Sequence, residues 1–223
     1  NVDDFLGAID ASSTRSGAAM RSAILGVLPT LGDVVRIATL QAKITHDTPE
    51  GIATAVAVST AAWYVRHGRT IEQAISLANM QAWNAATLCS GRVEPDQQEG
   101  FIAAQTEVWH NTDLSVTPTA PVSYHGVPCV QAAFHALLHH EDPIAMLQAI
   151  VSYAGDTDTV AAIAMGIRSM QPGPAIVWPQ WCYDTLENGE WGLDYLIGID
   201  EQIAKAWPIA VSGDKAALAT VGG

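Results

Sequence analysis

Two aspartates alternate with two threonines at residues 156–159, directly after Gly155 and ahead of an alanine-rich apolar run. Carboxylate and hydroxyl oxygens at such short spacing are the ligands that Mg²⁺ and other hard cations prefer. The free N–H groups and the positive dipole end of a helix start tolerate negative charge there. The sequence therefore predicts a divalent-cation site at this helix start, with Asp156, Asp158 and Thr159 as candidate ligands.

The same stretch allows a second interpretation, in which no metal is involved. Gly155 would make a turn, Asp156 or Thr157 would cap the helix, and Asp158 would lie in its first turn. Capping needs only one such side chain, however, and a second carboxylate adds repulsion unless a cation neutralises both. The excess of aspartate favours the metal, and the sequence leaves both interpretations open.

Two further places combine polar residues with a predicted helix end. In "STRSGAAMRSAILG", residues 13–26, a Ser/Thr-rich loop enters a helix through Ser16 and Gly17, and amides at such a start bind phosphate. The alternative is an ordinary capped helix in which Gly17 allows close packing. In "ITHDTPE", His46 stands between two predicted helices, where a structural histidine is the alternative to a ligand.

Helical periodicity dominates the chain and predicts a compact, single-domain, all-α fold. A helix over 48–68 has Thr48 as N-cap, Pro49 at its first position and Gly68 as its stop. Thr70 and Gln73 have capping-box spacing ahead of a helix that runs to about residue 88. Residues 114–124 look extended but contain two prolines, which predicts a loop or an edge segment. Further helices are predicted over 18–28, 33–45, 97–109, 127–140, 143–152, 158–170, 179–187 and 193–206.

The charge and cysteine content narrow the class of protein. Ten Lys and Arg against 23 Asp and Glu give a formal charge of −13, which argues against nucleic acid and anionic membranes as partners. The three cysteines, Cys89, Cys129 and Cys182, form no CxxC pair, which suits a reducing, cytoplasmic setting with free and mostly buried thiols. No segment reaches 18 uninterrupted apolar residues.

Other groups of residues give weaker signals. His135 and His139 are helical neighbours that a third ligand would complete into a zinc site, but Ala136 stands where a metalloprotease helix has glutamate, so a polar helix face is predicted. No GxSxG, Walker or GxGxxG stretch is present. Three tryptophans near the carboxyl end are predicted to anchor helix packing, namely Trp178, Trp181 and Trp191.

Four blocks together resemble the ADP-ribosylglycohydrolase family, all-helical enzymes that remove ADP-ribose from modified proteins or related acceptors. They are "SGAAMR" at 16–21, "ITHDTPEGIATAVAV" at 44–58, "AIVSYAGDTDTVAAIAMGI" at 149–167 and "WPQWCYDTLENG" at 178–189. The third block is similar to the family's Gly-Gly-Asp-Thr-Asp-Thr signature. Two small departures are Ala154 in place of the first signature glycine and Ser16 where Asn is usual.

The resemblance implies a hydrolase with a binuclear Mg²⁺ centre, and leaves Mn²⁺ open as the alternative metal. Asp156, Asp158 and Thr159 would be ligands, the two aspartates would be catalytic, and a metal-bound water would attack the ribose. The implied substrate is an ADP-ribosylated protein or a small molecule that contains ADP-ribose.

The resemblance also implies a substrate pocket next to these ligands. Ser16, Gly17 and Met20 would line the diphosphate and ribose pocket, and His46 would approach the diphosphate. We therefore expect Asp158 to point into one solvent-connected pocket with these residues on its wall.

The family's amino-terminal acidic block, which supplies the other metal ligands, has no counterpart here, because the chain begins just before "SGAAMR". An amino-terminal segment or a second chain would have to supply it. We therefore expect this polypeptide alone to bind Mg²⁺ weakly and to show little hydrolase activity. The alternative function is that of a non-catalytic, all-helical relative that binds ADP-ribose or has a structural role.

Overall fold

The computed structural model describes Asp4 and residues 8–90, 121–173 and 176–208. Within these ranges it contains nine α-helices and one 3₁₀ segment, and its β structure is limited to three single-residue bridges, so the predicted all-α class is confirmed. None of the helices described is long and apolar enough to cross a membrane. The helices are α1 (Gly17–Met20), α2 (Leu31–Lys43), α3 (Pro49–Arg66), α4 (Ile71–Ser90), α5 (Gly126–His139), α6 (Pro143–Ser152), α7 (Thr157–Ser169), α8 (Gln180–Asp184) and α9 (Leu193–Ala206), and the 3₁₀ segment is Ala23–Val27.

Local signals set most of the helix starts. The Thr48 hydroxyl accepts a hydrogen bond of 3.0 Å from the Gly51 amide, with Pro49 at the first position of α3, as predicted. Thr70 and Gln73 form the predicted capping box, with both bonds at 3.3 Å. Most predicted helices within the described ranges agree with the observed bounds to within two residues.

Four predicted segments have a different outcome. The helix expected over 18–28 stops after Met20 and continues as the 3₁₀ segment. Gly26 of that segment approaches α3 so closely that a Cβ there would lie 2.7 Å from the Cβ of Ala62, so tertiary packing overrides local periodicity. The helix expected over 179–187 ends at Asp184. The helix expected over 97–109 and most of the extended stretch 114–124 lie outside the described residues.

The central element is α3, which is buried along its length. Every residue from Gly51 to Val65 is buried, and α3 packs against α2, α4, α5, α7 and the 3₁₀ segment. Its five interior alanines let these neighbours approach closely. The buried hydroxyls of Thr54 and Thr60 donate to carbonyls one turn earlier, at 2.8 and 2.7 Å, so the helix buries no unsatisfied hydroxyl at these positions.

The carboxyl-terminal helices contribute little to the core. Neither α8 nor α9 contains a buried residue. Trp181 is 66% exposed and Trp191 is 63% exposed, so the prediction that these two tryptophans anchor packing is wrong. The prediction of a polar face at the end of α5 is also wrong for His135. This residue is buried, and its ring stacks on that of His139 with ring centroids 4.1 Å apart.

Candidate functional site

Four helix starts meet at one place, because short connecting segments pair with one another ahead of α1, α3, α5 and α7. The Ser16 amide donates to the Tyr124 carbonyl at 3.0 Å, and the Asp156 amide donates to the Val122 carbonyl at 3.0 Å. Three isolated bridges complete the arrangement, namely Ser12↔His46, Arg15↔His125 and Val122↔Gly155. This pairing brings the three polar stretches found in the sequence onto one side of the molecule.

A strained turn places the start of α7 beside residue 122. Gly155 has φ +77°, and a Cβ on it would lie 2.2 Å from the Val122 carbonyl oxygen, so only glycine fits. Ala154 also has a positive φ, of 57°, which L-residues with a side chain adopt at a cost. The turn therefore explains why position 155 needs glycine, and why glycine would suit the backbone conformation at position 154 better than Ala154 does.

Asp156 occupies the N-cap position of α7, yet its side chain makes no capping hydrogen bond. Elsewhere the chain uses such side chains for capping: Thr30, Thr48 and Asp142 each accept an amide hydrogen bond at the start of their helices. The helices α1 and α5, which meet at the same place, also begin without a side-chain cap. Capping by Asp156 is therefore excluded as the role of this carboxylate.

The Asp156 carboxylate instead joins three helices. Its Oδ2 accepts from the Ser16 Oγ at 3.2 Å and from the Cys129 Sγ at 3.4 Å, and its Oδ1 accepts from the Thr159 Oγ1 at 3.0 Å. Ser16 and Thr159 are buried, so both hydroxyls are fixed in place. The Cys129 sulfur also lies 3.1 Å from the Ser123 carbonyl oxygen. Three donors thus orient one half-buried carboxylate.

The Asp158 side chain is exposed, and the pocket expected around it stays a prediction. The charge of Asp158 nevertheless acts on the same group as that of Asp156. Burial raises the pKa of the Cys129 thiol most, and the negative charges of Asp156 and Asp158 raise it further. The two carboxylates therefore lie within electrostatic range of one thiol, and the oxygens of Asp158 are open to solvent.

The second group of predicted residues adjoins the first through α1. The His46 ring faces the α carbon of Gly17: a Cβ on Gly17 would lie 3.1 Å from Cε1 and 3.2 Å from Nε2 of that ring. The Nδ1 of His46 shares a hydrogen bond of 2.7 Å with Thr45, and Arg21 donates to the same hydroxyl at 2.8 Å. Burial lowers the pKa of His46, and the Arg21 charge lowers it further, so the ring favours its neutral form.

The structure brings together some predicted site residues but not all of them. Ser16, Asp156 and Thr159 are in contact, and Gly17 lies against His46, whereas Met20 is 44% exposed. A large cavity of about 960 Å³ lies at the other end of α7, beside Arg168, and no predicted site residue lines it. The described residues include no group of three or more His, Cys, Asp or Glu side chains placed to hold a metal ion.

Sequence reasoning missed two residues of the site. Cys129 was identified only as a free thiol, because 27 residues separate it from Asp156 and no local pattern marks the contact. Arg21 lies inside the block at 16–21, yet spacing alone could not show that it donates to Gln41 and Thr45 beside His46. The signal for both residues is three-dimensional.

Comparison with known proteins identifies the family of this chain. The family model described as ADP-ribosylglycohydrolase matches residues 3–208, which is most of the chain and includes every predicted site residue. A comparison with curated proteins finds no match. The chain therefore belongs to the ADP-ribosylglycohydrolase family of hydrolases.

Proposed function

We propose that this protein is a metal-dependent hydrolase that removes ADP-ribose from a modified protein or a related acceptor. One observation carries the proposal. The Asp156 carboxylate makes no capping hydrogen bond, and it accepts hydrogen bonds from Ser16, Cys129 and Thr159 instead. Capping needs none of these contacts, whereas a ligand carboxylate is ordinarily held by hydrogen bonds from its neighbours. Family membership supports the reaction class.

The donor set fits one side of the shell of a hard cation. Asp156, Asp158 and Thr159 provide two carboxylates and a hydroxyl, and oxygen ligands of this kind suit Mg²⁺ or Mn²⁺. The Thr159 hydroxyl donates its proton to Asp156, so its oxygen keeps lone pairs for a cation. These three residues would hold the metal. When bound, the cation would lower the pKa of water and stabilise charge that develops on the sugar.

The other residues of the site have roles that do not require the metal. The amides at the open start of α1 and the neighbouring Arg21 suit a diphosphate, because both favour negative charge. The neutral His46 ring presents its Cε1–Nε2 edge towards Gly17, where it adds a hydrogen-bonding nitrogen without a second positive charge. We assign Ser16, Gly17 and His46 to the substrate wall, and Met20 to its exposed rim.

The test of the proposal is the change Asp158→Asn, made in protein to which the expected acidic amino-terminal segment or second chain has been added, in an assay that measures ADP-ribose released from an ADP-ribosylated protein in the presence of Mg²⁺. We expect most of the turnover to be lost while the helical content measured by circular dichroism stays nearly intact. The reason is that the change removes an anionic ligand from an exposed position without opening a cavity in the core.

Asp33→Asn is the matched control, because Asp33 is also an aspartate in the first turn of a helix, α2, and lies outside the site. It should leave turnover unchanged. Equal activity of the Asp158→Asn protein and the unchanged protein at limiting Mg²⁺ would contradict the proposal. Chelation of the metal provides a second check, since it should abolish the activity of the unchanged protein.

A non-catalytic ADP-ribose-binding protein is the second candidate function. The observation in its favour is that the described part of the chain brings together no group of three His, Cys, Asp or Glu side chains that could hold a metal ion. One experiment distinguishes the two functions. A binding protein still binds ADP-ribose after the metal is chelated, and it does not release ADP-ribose from a modified protein, with or without the metal.

A further inference from the structure

We infer that Cys129 is a positioning residue that holds the Asp156 carboxylate in place through a hydrogen bond donated by its thiol. This inference rests on the proposed function, because Asp156 is assigned there as a metal ligand. It adds a residue that lies outside the signature sequence at the start of α7 and that no local sequence pattern marks.

The geometry places Cys129 where it can act on Asp156. The thiol projects from α5, is fully buried, and lies 3.4 Å from Oδ2 of Asp156. A water molecule cannot take over this contact, because the sulfur has no exposed surface. Ser16 donates to the same oxygen from α1, so two helices fix one oxygen of the carboxylate.

The lone pairs of the carboxylate show what this arrangement achieves. A carboxylate accepts at about four positions, two on each oxygen. Ser16 and Cys129 use the two positions of Oδ2, and Thr159 uses one of the two on Oδ1. The remaining position is on Oδ1, the oxygen that accepts from Thr159. Cys129 thus helps to direct Oδ1, rather than Oδ2, towards a cation.

The thiol has one proton, and three oxygens lie within hydrogen-bonding reach of it: the Ser16 hydroxyl, which itself donates to Asp156, and two oxygens that can only accept. The Ser123 carbonyl oxygen is at 3.1 Å and Oδ2 of Asp156 is at 3.4 Å, and neither of them can donate. A charged acceptor forms the stronger hydrogen bond, and an unpaired partial negative charge against the sulfur would be costly in a buried place. The carboxylate therefore takes the larger share of the thiol proton, and the inference depends on this distribution.

The S–H stretching band in the infrared spectrum measures this distribution directly. The band of Cys129 is assigned as the one that disappears in Cys129→Ala and remains in the control Cys182→Ala, whose half-buried thiol lies on α8. In the unchanged protein we expect a low frequency, typical of a thiol bonded to a carboxylate, and a shift to higher frequency in Asp156→Asn. An unshifted band would mean that the Asp156 carboxylate does not receive the proton, which would overturn the inference.

Mg²⁺ titrations of variants that keep Asp156 provide a second readout, which stands even if Asp156→Asn fails to fold. Loss of a group that orients a ligand typically weakens metal binding by about tenfold or more. We expect that loss in Cys129→Ala, and substantial recovery in Cys129→Ser, which restores a donor of similar size. Equal affinity in Cys129→Ala and the unchanged protein, or no recovery in Cys129→Ser, would overturn the inference.

The two readouts also separate this inference from the proposed function. A band that shifts in Asp156→Asn, in a protein that binds no Mg²⁺, would support the role of Cys129 in holding Asp156 and would count against the metal-dependent hydrolase. Normal Mg²⁺ binding with an unshifted band would count against the role of Cys129 and would support the metal site of the proposed hydrolase.

Discussion

Asp156 shows how a single side chain separates a structural from a functional interpretation. The sequence allowed either a helix cap or a cation ligand, since both use an aspartate at a helix start. The structure excludes the cap, because the carboxylate accepts from Ser16, Cys129 and Thr159 and from no amide of α7. At this position the chain gives up a contribution of about 1 kcal/mol that capping ordinarily provides.

The sequence pointed to most residues of the candidate site, but to only part of their arrangement. Asp156 and Thr159 are three residues apart, so their contact follows from helix geometry. The contact between Ser16 and Asp156 spans 140 residues and could be expected only from the resemblance to a family. Cys129 could not be found in either way, because its role depends on where the start of α5 lies relative to α7.

At the same scale, the protonation of His46 is a testable consequence of its surroundings. Burial is the larger cause of its lowered pKa and the Arg21 charge is the smaller one. We expect a nuclear magnetic resonance titration to give a pKa below about 6.5, the value of an unperturbed histidine. Arg21→Gln should raise the pKa of His46 only part of the way back, because burial persists.

The same shift has a consequence for stability. The folded state disfavours protonated His46, so the unfolded state binds more protons below about pH 6.5. The contribution of His46 to the free energy of unfolding should therefore be greatest above that pH and fall as the pH drops towards the folded pKa. A His46 pKa at or above that of a model peptide, unaffected by Arg21→Gln, would contradict this account.

At the scale of elements, sequence patterns predicted helices well where capping residues and hydrophobic periodicity determine the helix bounds. The start of α3 at Thr48 and Pro49 and the start of α4 at Thr70 are local features, and both predictions are confirmed. The break after Met20 was not predicted, because it depends on the approach of Gly26 to α3. The exposed tryptophans of residues 176–208 were also misjudged, since composition cannot show which helices lack a packing partner.

The turn that presents Asp156 can be tested by relieving its strain. Ala154 has φ 57°, and a residue with a side chain in this region costs roughly 1–2 kcal/mol. We expect Ala154→Gly to raise the free energy of unfolding by about 1 kcal/mol, less than the full strain because glycine also gains freedom in the unfolded chain. Chemical denaturation measures this difference, and a destabilised Ala154→Gly protein would show that the turn is not strained.

Gly155 permits a matched comparison within the same chain. Gly155 and Gly68 both have φ +77°, but a Cβ on Gly68 would meet nothing within 4 Å, whereas on Gly155 it would lie 2.2 Å from the Val122 carbonyl. Gly68→Ala should therefore cost only the left-handed strain, roughly 1–2 kcal/mol. Gly155→Ala should cost clearly more in denaturation experiments and should separate the start of α7 from residue 122. Equal losses in the two variants would contradict the close approach.

At the scale of the whole molecule, the buried helix α3 supports a site made from the starts of its neighbours. The chain carries a formal charge of −13, yet the site adjoins Arg21 and the positive ends of α1, α5 and α7. We propose that a cation and an anionic substrate bind side by side there, the cation at Asp156 and Asp158 and the substrate along α1. The central claim of this account is that a metal ion binds at Asp156 and Asp158.

A calorimetric Mg²⁺ titration of this chain, with Asp158→Asn and the control Asp33→Asn beside it, tests that claim most directly. Two carboxylates and one hydroxyl leave several positions to water, so we predict weak binding by the unchanged protein. The Asp158→Asn protein should lose this binding and the Asp33→Asn protein should keep it. Identical Mg²⁺ binding by all three proteins, or its absence in all three, would contradict the account.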